Sequence, residues 1–276
     1  MKPTHMILLL LCLFTMVIPP TINAESLEDV KVAIIIDDFG GDVKGVHDFF
    51  QTKIPITVAV MPFLEQSKKQ AELAHSLGLE VMIHLPLQPK KGKSSWLGPN
   101  PITKDLSLTE VKKRVVQAIE SVPHAKGMNN HMGSLIVEDE AIMRVILETA
   151  KEYNLYFIDS GTAPNSVIPR LAEELGVPWG MRDIFLDDTH SSSSHVYKQM
   201  NKLVKVAERK GHAIGIGHVG VKGDATVKGV TEAVKSLKQK NVKIVPASHL
   251  LQSKIDKSPE NFWHGYLLID SCLKNS

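Results

Sequence analysis

The segment Val32-Ala33-Ile34-Ile35-Ile36-Asp37-Asp38-Phe39-Gly40 carries the strongest fold signal in this chain. Its uninterrupted apolar run predicts a strand that is buried on both faces, and parallel α/β folds place their chemistry at the carboxyl ends of such strands. Adjacent strand residues point to opposite sides, so Asp37 and Asp38 are expected to have separate roles. The alternative at this point is a strand that ends in a solvated turn.

Apolar stretches alternate with segments of helical periodicity along the rest of the chain. The predicted strands are 32–36, 56–61, 80–85, 127–130, 155–159, 178–181, 212–218 and 242–246. The predicted helices are 64–77, 109–121, 139–153, 169–175, 193–210 and 227–240, with Thr109 as a cap of the second. This order predicts an α/β fold with a parallel sheet or a (β/α) barrel.

Length and charge restrict the possible functions. The 276 residues suit one α/β domain, with two small domains as the alternative. The net charge of +2 arises from interspersed basic and acidic residues. Neither a nucleic-acid partner nor a polybasic membrane patch is indicated. The expected partner is a small or neutral polymeric ligand.

The amino terminus has the pattern of a secretory signal peptide. Lys2 and His5 precede an apolar stretch, residues 6–18, which is followed by a proline pair and by Ala24 as a cleavage residue. We therefore expect a signal peptide at 1–24 and a domain at 25–276 with its core at about 32–250. After cleavage no membrane span is expected, and the protein would be secreted or lie in the periplasm or cell envelope. The alternative is an uncleaved anchor. Only Cys272 would remain in the mature chain, which excludes an internal disulfide.

Polar side chains follow several of the predicted strands. His84 ends the third strand, His131 follows the fourth, Asp159 and Ser160 follow the fifth, and His218 ends a late one. A single histidine in such a position is often a satisfied core residue. In a parallel barrel, however, these strand ends converge. The alternative hypothesis is therefore that these side chains form one shared functional site.

An aspartate with two histidines is a common ligand set for Zn²⁺ or a similar divalent ion. Such an ion activates water and polarises a carbonyl, which makes the hydrolysis of an amide or ester the expected chemistry. A second aspartate can then act as the base and a further histidine as the acid.

The chain resembles the divergent polysaccharide deacetylases, a branch of the NodB-like carbohydrate deacetylases. The resemblance rests on Ile-Asp-Asp-Phe-Gly (36–40), Val-Ala-Val-Met-Pro (58–62), His-Leu-Pro-Leu-Gln (84–88) and Gly-Met-Asn-Asn-His-Met-Gly-Ser (127–134). It implies a single-domain, distorted (β/α) barrel with a metal centre and a deacetylase-like active site.

The resemblance also implies roles for five residues. Asp37 would be the general base and His218 the acid that protonates the leaving amine. Asp38, His84 and His131 would hold a divalent metal ion, for which zinc is expected.

The sequence departs from the better-known deacetylase pattern in two places. The residue four positions after His84 is Gln88 instead of a second histidine, so His131 is the candidate second ligand. No Arg-x-Pro-Tyr segment is present to help bind the oxyanion. Asn129, Asn130 or backbone amides near Gly133 are the candidate replacements.

Several other polar and aromatic residues have two interpretations. Asn130, Asp159 and Ser160 are predicted to contact substrate, whereas Asp159 and Ser160 could equally form a strand-end turn. Residues 187–190 could line the cleft, although a helix cap is favoured because serines and a helical pattern follow. Trp96 and Trp179 could stack on sugar rings or pack in the protein.

Two functions follow from these residues. The first is an extracytoplasmic metal-dependent hydrolase that removes acetyl groups from a carbohydrate substrate, either peptidoglycan or another N- or O-acetylated glycan. The second is an inactive envelope protein of the same fold that binds glycan or protein. The two early carboxylates and His218 favour the enzyme, and the missing motifs favour the binding protein.

Overall fold

The computed structural model describes residues 30–188, 190–237 and 241–252. The strands in these residues are β1 (Val30–Phe39), β2 (Thr57–Val60), β3 (Glu80–Leu87), β4 (Ala125–Met132), β5 (Tyr156–Asp159), β6 (Trp179–Met181), β7 (Ile184–Phe185), β8 (His212–His218) and β9 (Val242–Ile244). The helices are α1 (Val46–Gln51), α2 (Ser67–Ser76), α3 (Leu108–Ser121), α4 (Glu140–Glu152), α5 (Ile168–Leu175), α6 (Ser193–Lys210) and α7 (Gly223–Leu237).

The strands form one curled, parallel sheet. Its order is β6-β5-β4-β3-β2-β1-β8-β7, and β9 pairs with the amino-terminal end of β1. Every ladder is parallel because a helix or loop returns the chain to the same edge between strands. The predicted α/β class with a distorted barrel is therefore confirmed.

The residues of β1 form a continuous hydrophobic run because the strand lies between two apolar cores. Val32, Ile34 and Ile36 pack in the large core between the sheet and the helices. Ala33 and Ile35 face the smaller core inside the curl of the sheet. Because both faces of the strand are covered, no position in the run is left for a polar residue.

The strand register brings polar residues together at the carboxyl edge of the sheet. Asp37 on β1 pairs with His218 on β8. On the neighbouring strands β3 and β4, His84 pairs with Asn129. The site is therefore fixed by backbone pairing in the interior of the sheet.

The structure differs from the sequence-based expectation in some details. The short elements α1 and β7 were not predicted. The assignment of Thr109 as the cap of α3 is wrong, because Ser107 Oγ accepts the hydrogen bond from the Glu110 amide.

The amino-terminal expectations are not addressed by the fold. The signal segment 1–24 and the two cysteines lie outside the described residues. Within the part of the chain that the structure describes, no helix is both long enough and apolar enough to cross a bilayer.

Candidate metal centre and active site

Asp38, His84 and His131 converge at the ends of β1, β3 and β4. Asp38 Oδ1 lies 3.3 Å from His84 Nε2 and 3.2 Å from His131 Nδ1. The two histidine nitrogens are 2.9 Å apart. These three residues form a cluster whose possible ligand atoms all lie within 4.8 Å of one another.

A bulge at the end of β1 turns both carboxylates toward His84. The register with β2 shifts between Ile36 and Phe39, and Asp38 has a φ of 70°, a left-handed conformation that aspartate tolerates better than most residues. Asp37 Oδ2 consequently lies 3.6 Å from His84 Nδ1, while Asp38 Oδ1 approaches Nε2 of the same ring. Strict alternation to opposite sides, as expected from a regular strand, does not hold here because of the bulge.

The hydrogen bonds of the two histidines leave one nitrogen of each ring facing the cluster. His84 Nδ1 donates to Asn129 Oδ1 at 2.7 Å, and His131 Nε2 donates to the Trp96 carbonyl at 3.0 Å. The inward nitrogens, His84 Nε2 and His131 Nδ1, are then unprotonated in the neutral rings and can donate lone pairs.

The donor set fits a divalent cation. Asp38 Oδ1 is buried and has no hydrogen-bond partner, although it lies between the two inward histidine nitrogens. A buried carboxylate oxygen without a donor is unfavourable unless something compensates it. One carboxylate and two imidazoles are a ligand set of the kind that Zn²⁺ accepts, with positions left for water and substrate.

Asn129 links the metal cluster to Asp37. Its Nδ2 donates to Asp37 Oδ1 at 2.9 Å, while its Oδ1 accepts from His84. The carboxamide is fully buried, and its two bonds orient Asp37 and His84; a role for Asn129 in binding the oxyanion stays a prediction. Asn129 lies two residues before His131 on β4, so the two side chains share one face of the strand. This spacing in the sequence could have indicated that Asn129 lies beside the metal ligands.

Burial and neighbouring charges compete in setting the pKa values of the cluster. Burial raises the pKa of Asp37, although His84, His218 and the Asn129 hydrogen bond oppose it. Burial also acts to raise the pKa of Asp38, but the contacts with His131 and His84 outweigh it and hold that pKa well below its usual value. Burial acts to lower the pKa of His84, but the carboxylates of Asp37 and Asp38 outweigh it, so the pKa is raised.

His218 is held by Asp187, a residue expected from the sequence to form part of a helix cap. His218 Nδ1 donates to Asp187 Oδ1 at 2.7 Å, and the His218 amide donates to Oδ2 at 2.8 Å. Thr226 Oγ1 donates to the same Oδ2 at 2.6 Å. The cap of α6 is instead Ser192, whose side chain accepts from the His195 amide.

The predicted substrate contacts Asn130, Asp159 and Ser160 lie at the ends of β4 and β5. Ser160 donates from its amide to Asn130 Oδ1 at 3.0 Å and from its hydroxyl to the Asn130 carbonyl at 2.9 Å. Asn130 Nδ2 donates to Thr162 Oγ1, and Asp159 Oδ1 accepts from the Gly161 amide. These bonds tie the two strand ends together, and contact with substrate stays a prediction.

The long loop after β3 reaches the metal cluster. Gln88, four residues after His84, accepts the Lys104 amide on its side chain and so helps to hold this loop. Trp96 contributes its carbonyl to His131 and leaves its side chain 58% exposed. Trp179, in contrast, is 7% exposed and packs in the core.

Comparisons with known proteins identify relatives of this chain by sequence. Residues 34–251 match the family model described as divergent polysaccharide deacetylase. The chain is 35% identical over 234 residues to the uncharacterized protein YibQ of Escherichia coli strain K12, an alignment that covers 84% of this chain and 71% of that protein.

Two solved structures confirm the predicted fold. The uncharacterized protein ATU2773 from Agrobacterium tumefaciens C58 superimposes with a TM-score of 0.75 at 18% identity, covering 82% of this chain and 90% of that one. The Bc1960 peptidoglycan N-acetylglucosamine deacetylase superimposes with a TM-score of 0.53 at 11% identity, covering 83% of this chain and 91% of that one. The match to the family model extends over most of the sequence, from the middle of β1 to the end of the described core. This chain therefore belongs to the divergent polysaccharide deacetylase family.

Proposed function

We propose that the protein is an extracytoplasmic, metal-dependent hydrolase that removes acetyl groups from N- or O-acetylated carbohydrate of the cell envelope. One observation carries this proposal: Asp38, His84 and His131 form a metal-ligand cluster beside Asp37, whose strand neighbour is His218. Such an arrangement supplies a metal site, a base and an acid at one edge of one sheet.

The metal ion would be held by Asp38 Oδ1, His84 Nε2 and His131 Nδ1, and zinc is the proposed ion. A bound ion of this type polarises a carbonyl and lowers the pKa of water. The chain's own contribution is to keep the inward nitrogens free of protons through Asn129 and the Trp96 carbonyl.

Asp37 is the proposed general base. Asn129 fixes one carboxylate oxygen, and the other faces His84 at 3.6 Å. The carboxylate is 1% exposed, so it is held in one orientation and shielded from bulk water. Asp37 would accept a proton from the attacking water while the carbonyl of the acetyl group is attacked.

His218 is the proposed general acid. Its Nδ1 is bonded to Asp187, which leaves Nε2 available for the leaving group. Burial acts to lower the pKa of His218, but the Asp187 hydrogen bond and charge raise it to about 9. A raised pKa favours the protonated ring, which can donate a proton to the departing nitrogen or oxygen.

A glycan-binding protein without turnover is the second candidate. It is favoured by one observation: the carboxamides of Asn129 and Asn130, the candidate oxyanion donors, are both engaged in hydrogen bonds within the protein. A protein of this kind would have the same fold and would bind glycan, but it would release no acetate.

Acetate release from peptidoglycan fragments and from acetylated chitin oligosaccharides tests the proposal. We expect metal-dependent release by the purified protein, abolished by a chelator and restored by Zn²⁺. Asp37→Asn and His218→Ala should each lower kcat by about 10²–10⁴-fold, the range for loss of a general acid or base. His47→Ala, on the exposed surface of α1, is the matched control and should leave kcat unchanged. Full activity in Asp37→Asn, or no release from any acetylated glycan, would contradict the enzyme proposal.

A further inference from the structure

The loop that joins β3 to α3 is anchored on both sides of its exposed middle part. The Lys90 amide donates to Ser134 Oγ at 2.9 Å, and Leu97 is only 4% exposed. Gly98 has a φ of +73°, and a Cβ atom there would lie 2.9 Å from Met61 Cε, so the backbone packs closely at this point. The residues between these anchors are therefore presented on a supported backbone.

Trp96 stands at the outer edge of this loop, next to the metal cluster. Its carbonyl accepts the His131 Nε2 hydrogen bond at 3.0 Å, while its indole is 58% exposed. The side chains of His131 and Asp38 are 17% and 34% exposed, so the cluster is open to solvent beside the backbone of Trp96. An exposed indole offers a rigid apolar face with a polar edge, which suits the face of a sugar ring.

The loop also carries three lysines between its two anchored ends, Lys90, Lys91 and Lys93. Lys90 pairs with Glu138 at 2.6 Å. Lys91 and Lys93 are exposed, and in the described residues neither lies within ion-pair distance of an acidic group. Lys93 Nζ lies over one face of the Trp96 ring, 5.8 Å from its centre, in a cation–π contact. The overall charge of the chain favours a neutral polymer, but the local charge beside the indole favours an anion.

We propose that Trp96, Lys91 and Lys93 form a subsite for a sugar unit that carries a carboxylate. The pyranose ring stacks on the indole and its carboxylate pairs with the lysines, which places a neighbouring acetylated unit over the metal cluster. This proposal rests on the proposed deacetylase function and narrows its substrate class to anionic glycans. Trp96 in addition positions His131 through its carbonyl, so the subsite and the metal ligand share one backbone segment.

Binding of matched disaccharides tests the subsite without relying on turnover. The probes are the N-acetylglucosamine–N-acetylmuramic acid disaccharide, which bears a carboxylate, and the neutral di-N-acetylchitobiose. Calorimetric titration is carried out on the zinc-loaded Asp37→Asn protein, with His218→Gln as a second non-hydrolysing background if Asp37→Asn does not fold.

We expect Trp96→Ala to weaken binding of both disaccharides by about fivefold or more, the effect of losing an aromatic stacking partner. Lys91→Gln/Lys93→Gln should weaken only the carboxylate-bearing disaccharide, by about three- to fivefold at low salt, and this difference should vanish at high salt. Lys68→Gln/Lys69→Gln, exposed on α2, is the charge-matched control and should change neither affinity.

Unchanged affinity in Trp96→Ala, or equal weakening of both disaccharides by the lysine double variant, would overturn the subsite. The outcome is separable from that of the acetate assay. If the wild-type protein releases no acetate but the binding differences are found, the deacetylase proposal fails and the subsite stands. If acetate is released and Trp96→Ala binds both disaccharides normally, the subsite fails alone.

Discussion

His218 is hydrogen-bonded to Asp187, although the two residues lie 31 positions apart in sequence. Burial acts to lower the pKa of His218, and the Asp187 hydrogen bond and charge, together with Asp37, raise it to about 9. Because the raised pKa belongs to a base, the cationic form is favoured below about pH 9 and is lost as the pH rises through that value.

Replacement of Asp187 by asparagine should therefore move the alkaline limb of activity. In the wild type we expect kcat/KM to fall as the pH rises through about 9. In Asp187→Asn this fall should occur about one pH unit lower or more, because loss of the charged hydrogen-bond partner lowers the pKa of His218 by at least that amount. Thr226→Val removes only one donor to Asp187 and should shift the limb less. An unchanged limb in Asp187→Asn would show that His218 is not the acid whose titration limits the reaction.

Asn129 joins the proposed base to a metal ligand through one carboxamide. In Asn129→Ala the buried oxygen of Asp37 loses its donor and His84 loses its acceptor. We expect zinc affinity, measured by chelator competition, to fall about 10–100-fold. The free energy of unfolding should fall by about 1–3 kcal/mol for the unsatisfied buried group.

The control for Asn129 is Asn165→Ala, which removes an exposed carboxamide. It should leave both the zinc affinity and the unfolding free energy close to the wild-type values. Wild-type zinc affinity in Asn129→Ala would contradict the positioning role of this carboxamide.

Among the elements, β4 packs closely against a large aromatic ring at Gly127. A Cβ atom at Gly127 would lie 2.4 Å from Tyr156 Cε2. Gly127→Ala should lower the free energy of unfolding by about 1–3 kcal/mol, because the ring or the strand must move. Gly41→Ala, whose Cβ would meet Val43 Cγ1 at an ordinary 3.6 Å, is the control in the same urea titration. Equal stabilities would mean that Tyr156 moves aside at little cost.

The elements also show what the sequence could predict. Apolar runs with helical segments between them predicted the long strands and helices because burial and periodicity are local properties of the chain. The two-residue strand β7 and the short helix α1 carry too few residues for a periodic signal. The bulge at Asp38 was not predictable either, because it arises from pairing between β1 and β2.

For the site, strand-end histidines and aspartates predicted which side chains lie at one edge, since parallel strands converge there. The link from Asp187 to His218 could not be predicted, because Asp187 follows β7 and pairs with β8 only through the tertiary fold. The positioning role of Asn129 could not be predicted for a similar reason. Its two partners come from β1 and β3, and only the register of three strands reveals them.

In the whole molecule, a polar network ties several strands to the last described segment of the chain. Glu80 Oε1 accepts from Tyr156 Oη at 2.9 Å, Thr57 Oγ1 at 3.1 Å and the Ser248 amide at 3.2 Å. Burial, and then the charge of Glu80, raises the pKa of Tyr156 well above its usual value, so its hydroxyl stays a donor.

Loss of this acceptor should destabilise the protein as a whole. Glu80→Ala is expected to lower the free energy of unfolding by at least about 2 kcal/mol, because buried donors lose their partner. Glu152→Ala removes an exposed partner of Lys112 and should cost less than about 1 kcal/mol. Urea denaturation measures both, and equal effects would show that the Glu80 network contributes no more than a surface ion pair.

Metal content of the purified protein is the measurement on which the functional account depends most. Elemental analysis after reconstitution with Zn²⁺ compares the wild type with Asp38→Ala, His84→Ala, His131→Ala and the surface control His47→Ala, each checked for folding by circular dichroism. We expect about one equivalent of zinc in the wild type and the control, and little in the three ligand variants, as for a single site with three protein ligands. A wild-type protein without metal, or folded ligand variants that keep a full equivalent, would contradict the proposed centre.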